Sequence, residues 1–598
     1  ITRVRLALSN ILFLLVLVVL YLLYAGGAPE PLPENAALLL NPMGVIVDET
    51  TQVDPLRALM GNPSPEDREI LLQDLIEAID YARDDPAINS LVMELDWLVY
   101  IGISKTQELV RALADFRATG KPIVAVGDYY TQDQYLLASQ ADAVIMHPLG
   151  AVALEGYASY RQYFREALEK LSINVHVFRA GEYKSAAEHF LRNDMSPGEK
   201  AVTERWLGLL WRQYTASLEQ DRELSEGSID RYVNEYAALV SAYDGDAARM
   251  ALEQGLVDHL LTRSESNDYL AEMVGAVDED GLYEAVPFEQ YLFRKKPLGF
   301  SGESGPRVAV ITAQGMMLPG EQPPGTIGGD SLAHLIKSTA EQDGVKAIVL
   351  RIDSGGGSVF AAEVIRQQLL EVRASGLPVV VSMGGVAASG GYYIAAEADE
   401  IWATPGTITG SIGVYAMFPT VENLLERLGV HTDGVGTTAL AGSLRLDRPL
   451  NPQVESVVTS SIDFSYRSFL QIVAEGRGMS LEQADALGQG RVWGAEDAFA
   501  NGLVDSLGSL EEAIDAAAAR ADLTDYEVEF VQPYRSPRDL FLQQLSERVG
   551  SLGQWPRSAT SVVLDRLLAP VARAVGELEM LQDPRHLYMR CVPCGVAF

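Results

Sequence analysis

The sequence predicts an α/β protein built from two tandem copies of one β/α unit, with a single transmembrane helix before them and a helical tail after them. Three observations support this prediction. Short apolar strands alternate with amphipathic helices, one block of this alternation recurs further along the chain, and the first residues form an uncharged apolar run. The chain has 598 residues, 48% hydrophobic and 21% charged, which is typical of a globular protein with more than one hydrophobic core.

The N-terminal segment has the features of a membrane anchor. Arg3 and Arg5 precede an apolar run that extends over residues 11–24 and carries no charge. Counted with its uncharged flanks, the run reaches the roughly 20 residues that a helix needs to cross a bilayer. Basic residues on its N-terminal side predict a cytoplasmic N-terminus and an exported body. The small residues at 25–28 leave a cleaved signal peptide open as the alternative.

An internal repeat organises the body of the chain. Residues 86–96 and 344–353 are both short apolar runs that end in aspartate, and the two aspartates lie 257 positions apart. Each run is followed by a segment with apolar residues at three- and four-residue spacing, 106–119 in the first copy and 361–374 in the second. Each of these helical segments is followed by Gly-x-Pro and then by another apolar strand. Such a βαβ rhythm predicts largely parallel sheets covered by helices.

The repeat and the composition of its flanks predict four parts. Residues 1–28 are the anchor, 29–300 the first β/α domain, 301–535 the second, and 536–598 a helical tail with a Cys-x-x-Cys pair. The seam between the two domains falls in a stretch rich in glycine and proline.

The net charge and the cysteine content limit which binding partners, disulfides and metal sites the chain can have. The formal net charge is −36, and so acidic a surface is unsuited to the phosphate backbone, so we predict no nucleic-acid partner. The two cysteines, Cys591 and Cys594, both lie near the C-terminus, so the body has no disulfide framework. For that pair a disulfide, a redox pair and half of a metal site remain open. We predict no cofactor and no metal.

The second copy carries a candidate nucleophile. Ser389 lies in the small-residue stretch 384–393, GGVAASGGYY, where its hydroxyl has room and a helix is predicted to begin. A glycine loop at 355–357 follows the strand that ends in Asp353, and its glycines allow backbone N–H groups to point at an anion. The first copy has Gln132 at the position equivalent to Ser389, so it lacks the nucleophile.

The first copy carries a candidate base. Lys184 stands in the segment 181–185, GEYKS, whereas the equivalent segment of the second copy, near Gly436, has no lysine. We interpret this complementary loss as a single composite active site. A serine hydroxyl needs a neighbouring base, and a lysine serves only when neutral. Burial in an apolar cleft would have to lower its pKa from about 10.4 toward ~7–8.

Further residues complete the predicted site. The backbone N–H groups of Gly356, Gly357 and Gly390 are the predicted oxyanion donors, an effect worth roughly 3–4 kcal/mol per donor. Ser185 is predicted to hold the amine and pass on its proton. Ser411 is predicted to line the site, and a role as alternative nucleophile is left open. A histidine base is disfavoured because the seven histidines lie in no distinctive motif.

Together these motifs resemble the signal peptide peptidase A family in its long, two-copy form. The similar segments are 181–185, 384–393, 409–413 (TGSIG) and 491–505, and the resemblance covers roughly residues 1–530. One departure is that this family commonly has proline in the glycine loop, where this chain has Gly355.

The resemblance implies a Clp- or crotonase-like fold for both domains and a homotetramer on the outer face of the bacterial inner membrane. It implies a serine endopeptidase that degrades released signal peptides and other hydrophobic peptides, with Ser389 as nucleophile and Lys184 as base. A peptide would bind by adding a strand beside the glycine loop. A crotonase-like acyl-CoA enzyme and a non-catalytic membrane scaffold are the alternatives.

Overall fold

The computed structural model describes residues 32–51, 68–296, 305–532, 583–591 and 594. The predicted anchor, most of the predicted seam and most of the predicted tail lie outside these residues. Among the helices that the structure describes, none combines the length and the apolarity needed to cross a membrane.

The first copy is built on a parallel six-stranded sheet. Its strands are, in spatial order, β11 (His259–Leu260), β8 (Ala143–Met146), β6 (Ile123–Gly127), β4 (Ile88–Glu94), β1 (Ala36–Leu40) and β12 (Ala285–Pro287). The central strands are buried on both faces, which explains why they read as continuous apolar runs rather than as alternating ones.

The second copy repeats this sheet. Its strands are β22 (Val492–Gly494), β20 (Ile408–Gly410), β18 (Val379–Ala388), β16 (Val345–Ser354), β13 (Arg307–Gln314) and β24 (Glu527–Val531), with β19 (Glu400–Ala403) beside β18 and β23 (Ser506–Leu507) beside β19. The order β23–β19–β18–β16–β13–β24 matches β11–β8–β6–β4–β1–β12, and every pair in both series is parallel. The predicted two-copy α/β organisation is confirmed.

Helices cover these sheets. Those of the first copy are α1 (Leu72–Asp84), α2 (Ile103–Ala118), α3 (Gln132–Ala138), α4 (Arg165–Leu171), α5 (Glu188–Leu191), α6 (Pro197–Asp221), α7 (Ser228–Asn234), α8 (Tyr236–Ala242), α9 (Ala247–Glu253), α10 (Arg263–Val274) and α11 (Phe288–Lys295). Those of the second are α12 (Gly329–Ala340), α13 (Val359–Ala374), α14 (Gly390–Ala395), α15 (Glu422–Arg427), α16 (Pro452–Gly476), α17 (Leu481–Leu487), α18 (Ala495–Ala500) and α19 (Leu510–Arg520).

Local signals explain where equivalent helices begin. Helix α10 starts with a capping box in which Thr262 and Glu265 satisfy each other's backbone N–H groups, and α19 starts with the same device at Ser509 and Glu512. The segments predicted at 106–119 and 361–374 are α2 and α13, each beginning two or three residues earlier than predicted.

A third sheet joins the two copies and the tail. In order it contains β10 (Asn174–Ala180), β21 (Val414–Thr420), β25 (Tyr588–Arg590), β17 (Gly356–Ser358), β14 (Met317–Leu318) and β15 (Ile327–Gly328). Strand β10 belongs to the first copy and is antiparallel to β21 of the second over seven residue pairs. This pairing carries the segment after β10, which includes Lys184, into the second copy.

The described end of the tail differs from the prediction. Residues 536–598 were expected to be helical, but the described part contains strand β25, which pairs with β17 and β21. The strand forms through tertiary contacts, because the hydrogen-bonding partners of this short segment are strands more than 150 residues earlier in the chain.

Cys591 and Cys594 form a disulfide, which is one of the three possibilities that the sequence left open.

Two small sheets complete the described strands. The first contains β3 (Glu69–Leu71), β2 (Gly44–Val47) and β5 (Leu98–Tyr100), and the second contains β7 (Tyr130–Thr131) and β9 (Val152–Ala153). The hydrophobic core of the first copy also takes in Ala388, Ile408 and Val492 of the second. The two copies therefore share buried apolar surface, which favours their association.

Candidate active site

The predicted base, Lys184, is held by close contacts with the second copy. Lys184 lies just beyond β10, and the neighbouring Tyr183 N–H donates to Gln489 O at 2.7 Å. A Cβ on Gly490, which has φ +77°, would lie 2.5 Å from the Lys184 backbone nitrogen. A Cβ on Gly413 would lie 3.1 Å from Lys184 Cδ. Glycine is needed at both positions because the lysine backbone and stem pass where a side chain would be.

The candidate nucleophile sits at a sharp turn between strand and helix. Ser389 follows β18 directly and precedes α14, and its backbone has φ 57° and ψ −111°. A non-glycine residue in such a conformation costs of order 1–3 kcal/mol, which the surrounding structure must supply. The Ser389 N–H donates to Gly410 O at 2.7 Å, and Tyr393 N–H donates to Ser389 O at 2.8 Å. The turn is thus held from both sides.

The structure brings the predicted base and nucleophile together. Lys184 Nζ lies 2.7 Å from Ser389 Oγ, although 205 residues separate them in the sequence. The same nitrogen lies 2.9 Å from Ser411 O and 3.0 Å from Ser411 Oγ. All three residues are buried. The pair forms within one chain, with one partner from each copy.

Electrostatics favour a neutral amine. Burial lowers the pKa of Lys184 to about 7, and the charge of Glu199 opposes this shift. Among the residues that the structure describes, the hydrogen-bond partners of Lys184 Nζ are two hydroxyls and a carbonyl, and none is a carboxylate. The amine is therefore uncharged in a large fraction of molecules near neutral pH.

The serine beside the base faces elsewhere. Ser185 is buried, and its hydroxyl acts on the Glu199 carboxyl, whose pKa it lowers, while the hydrogen bonds of the Lys184 amine go to Ser389 and Ser411. Burial raises the pKa of Glu199, which stands in the first turn of α6. Glu199 was not predicted, and its place as the third residue after the helix-capping Ser196 was the only local signal for its position.

The glycine loop forms strand β17 and packs against Ser389. A Cβ on Gly356, which has φ +88°, would overlap both the nitrogen of Gly390 and the carbonyl oxygen of Met589. The predicted donors Gly356 and Gly390 are therefore neighbours, and Gly357 follows in the same strand. The Gly356 N–H itself donates to Ser354 Oγ at 3.0 Å.

A buried ionic cluster supports this loop from the first copy. Lys105, at the start of α2, places its Nζ 2.6 Å from Asp353 Oδ2 and 3.3 Å from Asp48 Oδ2. The other carboxylate oxygen of Asp353 accepts from Val386 N–H at 3.1 Å. Asp353 thereby links the strand before the glycine loop to the strand that carries Ser389. Arg351 completes the cluster through Asp48 and Glu108.

This cluster was missed in the sequence. A lysine at the start of an amphipathic helix is normally solvated, and nothing local distinguishes Lys105.

Within the described part of the chain, no group of three or more His, Cys, Asp or Glu side chains is arranged to hold a metal ion.

Comparisons with known proteins identify the class. "Protease 4" of Salmonella typhi is 37% identical to this chain, over 99% of this chain and 96% of the length of that protein. "Protease 4" of Haemophilus influenzae is 37% identical over 98% of this chain. The "Serine protease SPPA, chloroplastic" of Arabidopsis thaliana is 28% identical over 76% of this chain and 66% of its own. This protein is a serine protease, not an acyl-CoA enzyme or an inactive scaffold.

The family follows from a second comparison. The family model described as Peptidase family S49 matches residues 115–276 and 371–524, which are more than half of the chain. The chain belongs to peptidase family S49. Among solved structures, a mutant of the "1510-N membrane-bound stomatin-specific protease" in complex with a substrate peptide is 17% identical, with a TM-score of 0.26, over 41% of this chain and all of that one.

Proposed function

We propose that this protein is a membrane-bound endopeptidase in which Ser389 is the nucleophile and Lys184 the general base. The observation that carries the proposal is the 2.7 Å separation of Lys184 Nζ and Ser389 Oγ. Both residues are buried, so water does not compete for their hydrogen bond.

The hydrogen bonds around the amine support a base role. A neutral amine has two N–H donors and one lone pair. The Ser411 carbonyl can only accept, so one N–H points to it, and the second N–H points to Ser411 Oγ. The lone pair is then left for the Ser389 hydroxyl, which donates its proton to Lys184 Nζ and keeps an oxygen lone pair for the attack. Ser411 thus orients the base, and we do not assign it the nucleophile role.

The reaction follows from this arrangement. Ser389 Oγ attacks the peptide carbonyl carbon while Lys184 Nζ takes its proton, and the carbonyl oxygen becomes an oxyanion. Backbone N–H groups of Gly357 and Gly390 stabilise that charge, by roughly 3–4 kcal/mol each. The lysine ammonium then protonates the leaving amine. A water molecule, deprotonated by the same amine, hydrolyses the acyl-enzyme and restores Ser389.

Apolar peptides are the proposed substrates. Ser389 stands between buried Ala388 and the buried glycines Gly390 and Gly391, so its neighbours in the chain are small, and small or apolar side chains suit the site. The uncharged N-terminal run would hold this cleft at the bilayer, where released signal peptides are found. We further propose the four-part division at residues 28, 300 and 535, a bacterial inner-membrane location with the N-terminus cytoplasmic, and a homotetramer.

Two substitutions test the dyad. In full-length protein in detergent, Ser389→Ala and Lys184→Met should each lower kcat/KM for a fluorogenic apolar peptide by at least 10³-fold, with thermal unfolding still cooperative. Lys170→Met, at a largely exposed lysine, is the matched control and should leave kcat/KM unchanged. A fluorophosphonate should label Ser389 only in protein that retains both residues. Turnover near the wild-type rate in either variant would refute the dyad.

A further inference from the structure

The hydroxyl of Ser354 makes two hydrogen bonds at the point where β16 ends. It donates to Gly315 O at 2.6 Å, and it accepts the Gly356 N–H at 3.0 Å. A carbonyl oxygen can only accept, so the single hydroxyl proton points to Gly315 and a lone pair faces the Gly356 N–H. Ser354 is buried, so water does not compete for these bonds. The direction of each bond is therefore fixed.

These bonds set the conformation of the chain as it leaves β16. A serine hydroxyl that accepts the N–H two residues further on closes a tight turn. This turn ends at Gly356, which has φ +88°, a conformation that glycine adopts readily and other residues rarely do. The Gly356 N–H is used inside the turn, so the next N–H along the strand is that of Gly357.

The N–H groups of Gly357 and Gly390 lie close together just beyond this turn. A Cβ on Gly390 would lie 3.2 Å from the Gly357 nitrogen, and a Cβ on Gly356 would overlap the Gly390 nitrogen. A Cβ on Gly391 would lie 2.6 Å from Ser354 O. The first turn of α14 thus packs directly against the turn at Ser354, and the spacing of the two N–H groups depends on the conformation of that turn.

The acceptor of the Ser354 hydroxyl is held in place by the first copy. Gly315 follows Gln314, the last residue of β13. The side-chain oxygen of Gln314 accepts the N–H groups of Asp48 and Glu49 at 3.0 Å each, and its Nε2 donates to Glu49 O at 2.8 Å. The Gly315 carbonyl is therefore a fixed point to which Ser354 ties the glycine strand.

We propose that Ser354 is a positioning residue, whose hydroxyl holds the Gly357 N–H at the distance from the Gly390 N–H that an oxyanion requires. The proposal rests on the proposed function, because it takes Ser389 as the nucleophile and these two N–H groups as the oxyanion donors. Such donors act on charge that develops in the transition state. Loss of their spacing therefore lowers kcat and has little effect on KM.

Removal of the hydroxyl tests this role. In full-length protein in detergent, Ser354→Ala should lower kcat for a fluorogenic apolar peptide by about 10–100-fold, less than the roughly 10²–10³-fold that loss of a whole donor costs. The midpoint of the pH profile should not move, because Ser354 is not a hydrogen-bond partner of Lys184 Nζ. Ser375→Ala is the matched control. It removes a hydroxyl that donates to Val372 O at 2.6 Å at the far end of α13, and it should leave kcat unchanged.

Binding of a transition-state mimic separates positioning from general damage. A peptide aldehyde forms a hemiacetal with the serine nucleophile and places its oxygen at the oxyanion position, whereas the corresponding peptide alcohol forms no covalent bond. Ser354→Ala should weaken inhibition by the aldehyde by the same factor by which kcat/KM falls, and leave inhibition by the alcohol unchanged. Ser354→Thr keeps the hydroxyl and should recover most of both losses.

A variant outside the turn keeps the test decisive if Ser354→Ala does not fold. Gln314→Leu releases the Gly315 carbonyl without a change in Ser354 or in either glycine, and it should lower kcat and aldehyde affinity in the same direction. Wild-type kcat in the folded variants, or a lower kcat at unchanged aldehyde affinity, would overturn the positioning role alone. Wild-type protein that neither cleaves peptide nor reacts with a fluorophosphonate would instead overturn the proposed function.

Discussion

At the scale of single residues, two buried lysines of the first copy show how surroundings determine charge. Burial alone would lower the pKa of Lys105, but the carboxylates of Asp353 and Asp48 outweigh it and hold the pKa above its usual value. Lys184 is equally buried and faces hydroxyls and a carbonyl, so burial prevails and its pKa falls to about 7. The first lysine is a permanent cation, whereas the second titrates near neutrality.

The pH dependence of cleavage follows from Lys184. Because only the neutral amine accepts a proton, kcat/KM should rise with pH, pass its midpoint near the pKa of about 7, and level off above it. Glu199→Gln removes the negative charge that favours the ammonium form, so its midpoint should move to lower pH. Steady-state pH profiles measure both effects, and Glu169→Gln, an exposed carboxylate, is the control. A wild-type midpoint near 10 would contradict this account.

At the scale of elements, α2 and β16 come from different copies and meet through two ion pairs, Lys105 with Asp353 and Glu108 with Arg351. Lys105 of α2 bonds Asp353 of β16, which in turn holds the N–H of Val386 in β18. The glycine strand β17 and Ser389 each follow directly after one of these strands. The first copy thus contributes to the position of the glycine loop as well as supplying the proposed base.

Removal of the ion pair between Lys105 and Asp353 should affect the stability of the protein and its catalytic rate together. Lys105→Met leaves the carboxylates of buried Asp48 and partly buried Asp353 without their shared cation, which we expect to lower the free energy of unfolding by about 3 kcal/mol. We also expect kcat to fall at least tenfold with little change in KM, because the glycine loop moves relative to Ser389. Adding Asp353→Asn should recover part of the stability. Denaturant unfolding and steady-state kinetics are the measurements, with Lys337→Met as control. A variant with wild-type stability and kcat would disprove the role.

At the scale of the whole molecule, the proposed active site forms only when both copies fold against each other in one chain. Strand β10 of the first copy pairs with β21 of the second, and this pairing delivers Lys184 to Ser389. The copies have diverged so that neither contains a complete site, since Gln132 replaces the serine in one and the lysine is missing from the other.

A complementation experiment tests this arrangement. Cells that co-express the Ser389→Ala and Lys184→Met chains should show no peptidase activity, because no single chain then carries both groups. Wild-type protein co-expressed with the Ser389→Ala chain should keep activity and serves as the control. Activity restored in mixed assemblies of the two variants would mean that the dyad forms between chains. The measurement is peptide cleavage by the co-purified proteins.

Much of this molecule was predictable from local patterns. The apolar runs before Asp96 and Asp353, which form β4 and β16, and the helices α2 and α13 after them are visible because periodicity and glycine–proline stops act within a few residues. Aligning one half of the sequence with the other shows that the first copy lacks an equivalent of Ser389 and the second lacks an equivalent of Lys184. This complementary loss was enough to predict a composite site.

Tertiary structure alone decided the remainder. The partners of Lys184 Nζ, the turn of Ser185 toward Glu199 and the pairing of β25 with β17 all join residues that lie apart in the sequence. The helical prediction for the tail was wrong in its described part because strand pairing with distant residues overrides local propensity. Local patterns were enough to predict the repeated fold and the two side chains that are proposed to react, whereas long-range packing sets the surroundings of the Lys184 amine and pairs the tail strand with β17 and β21.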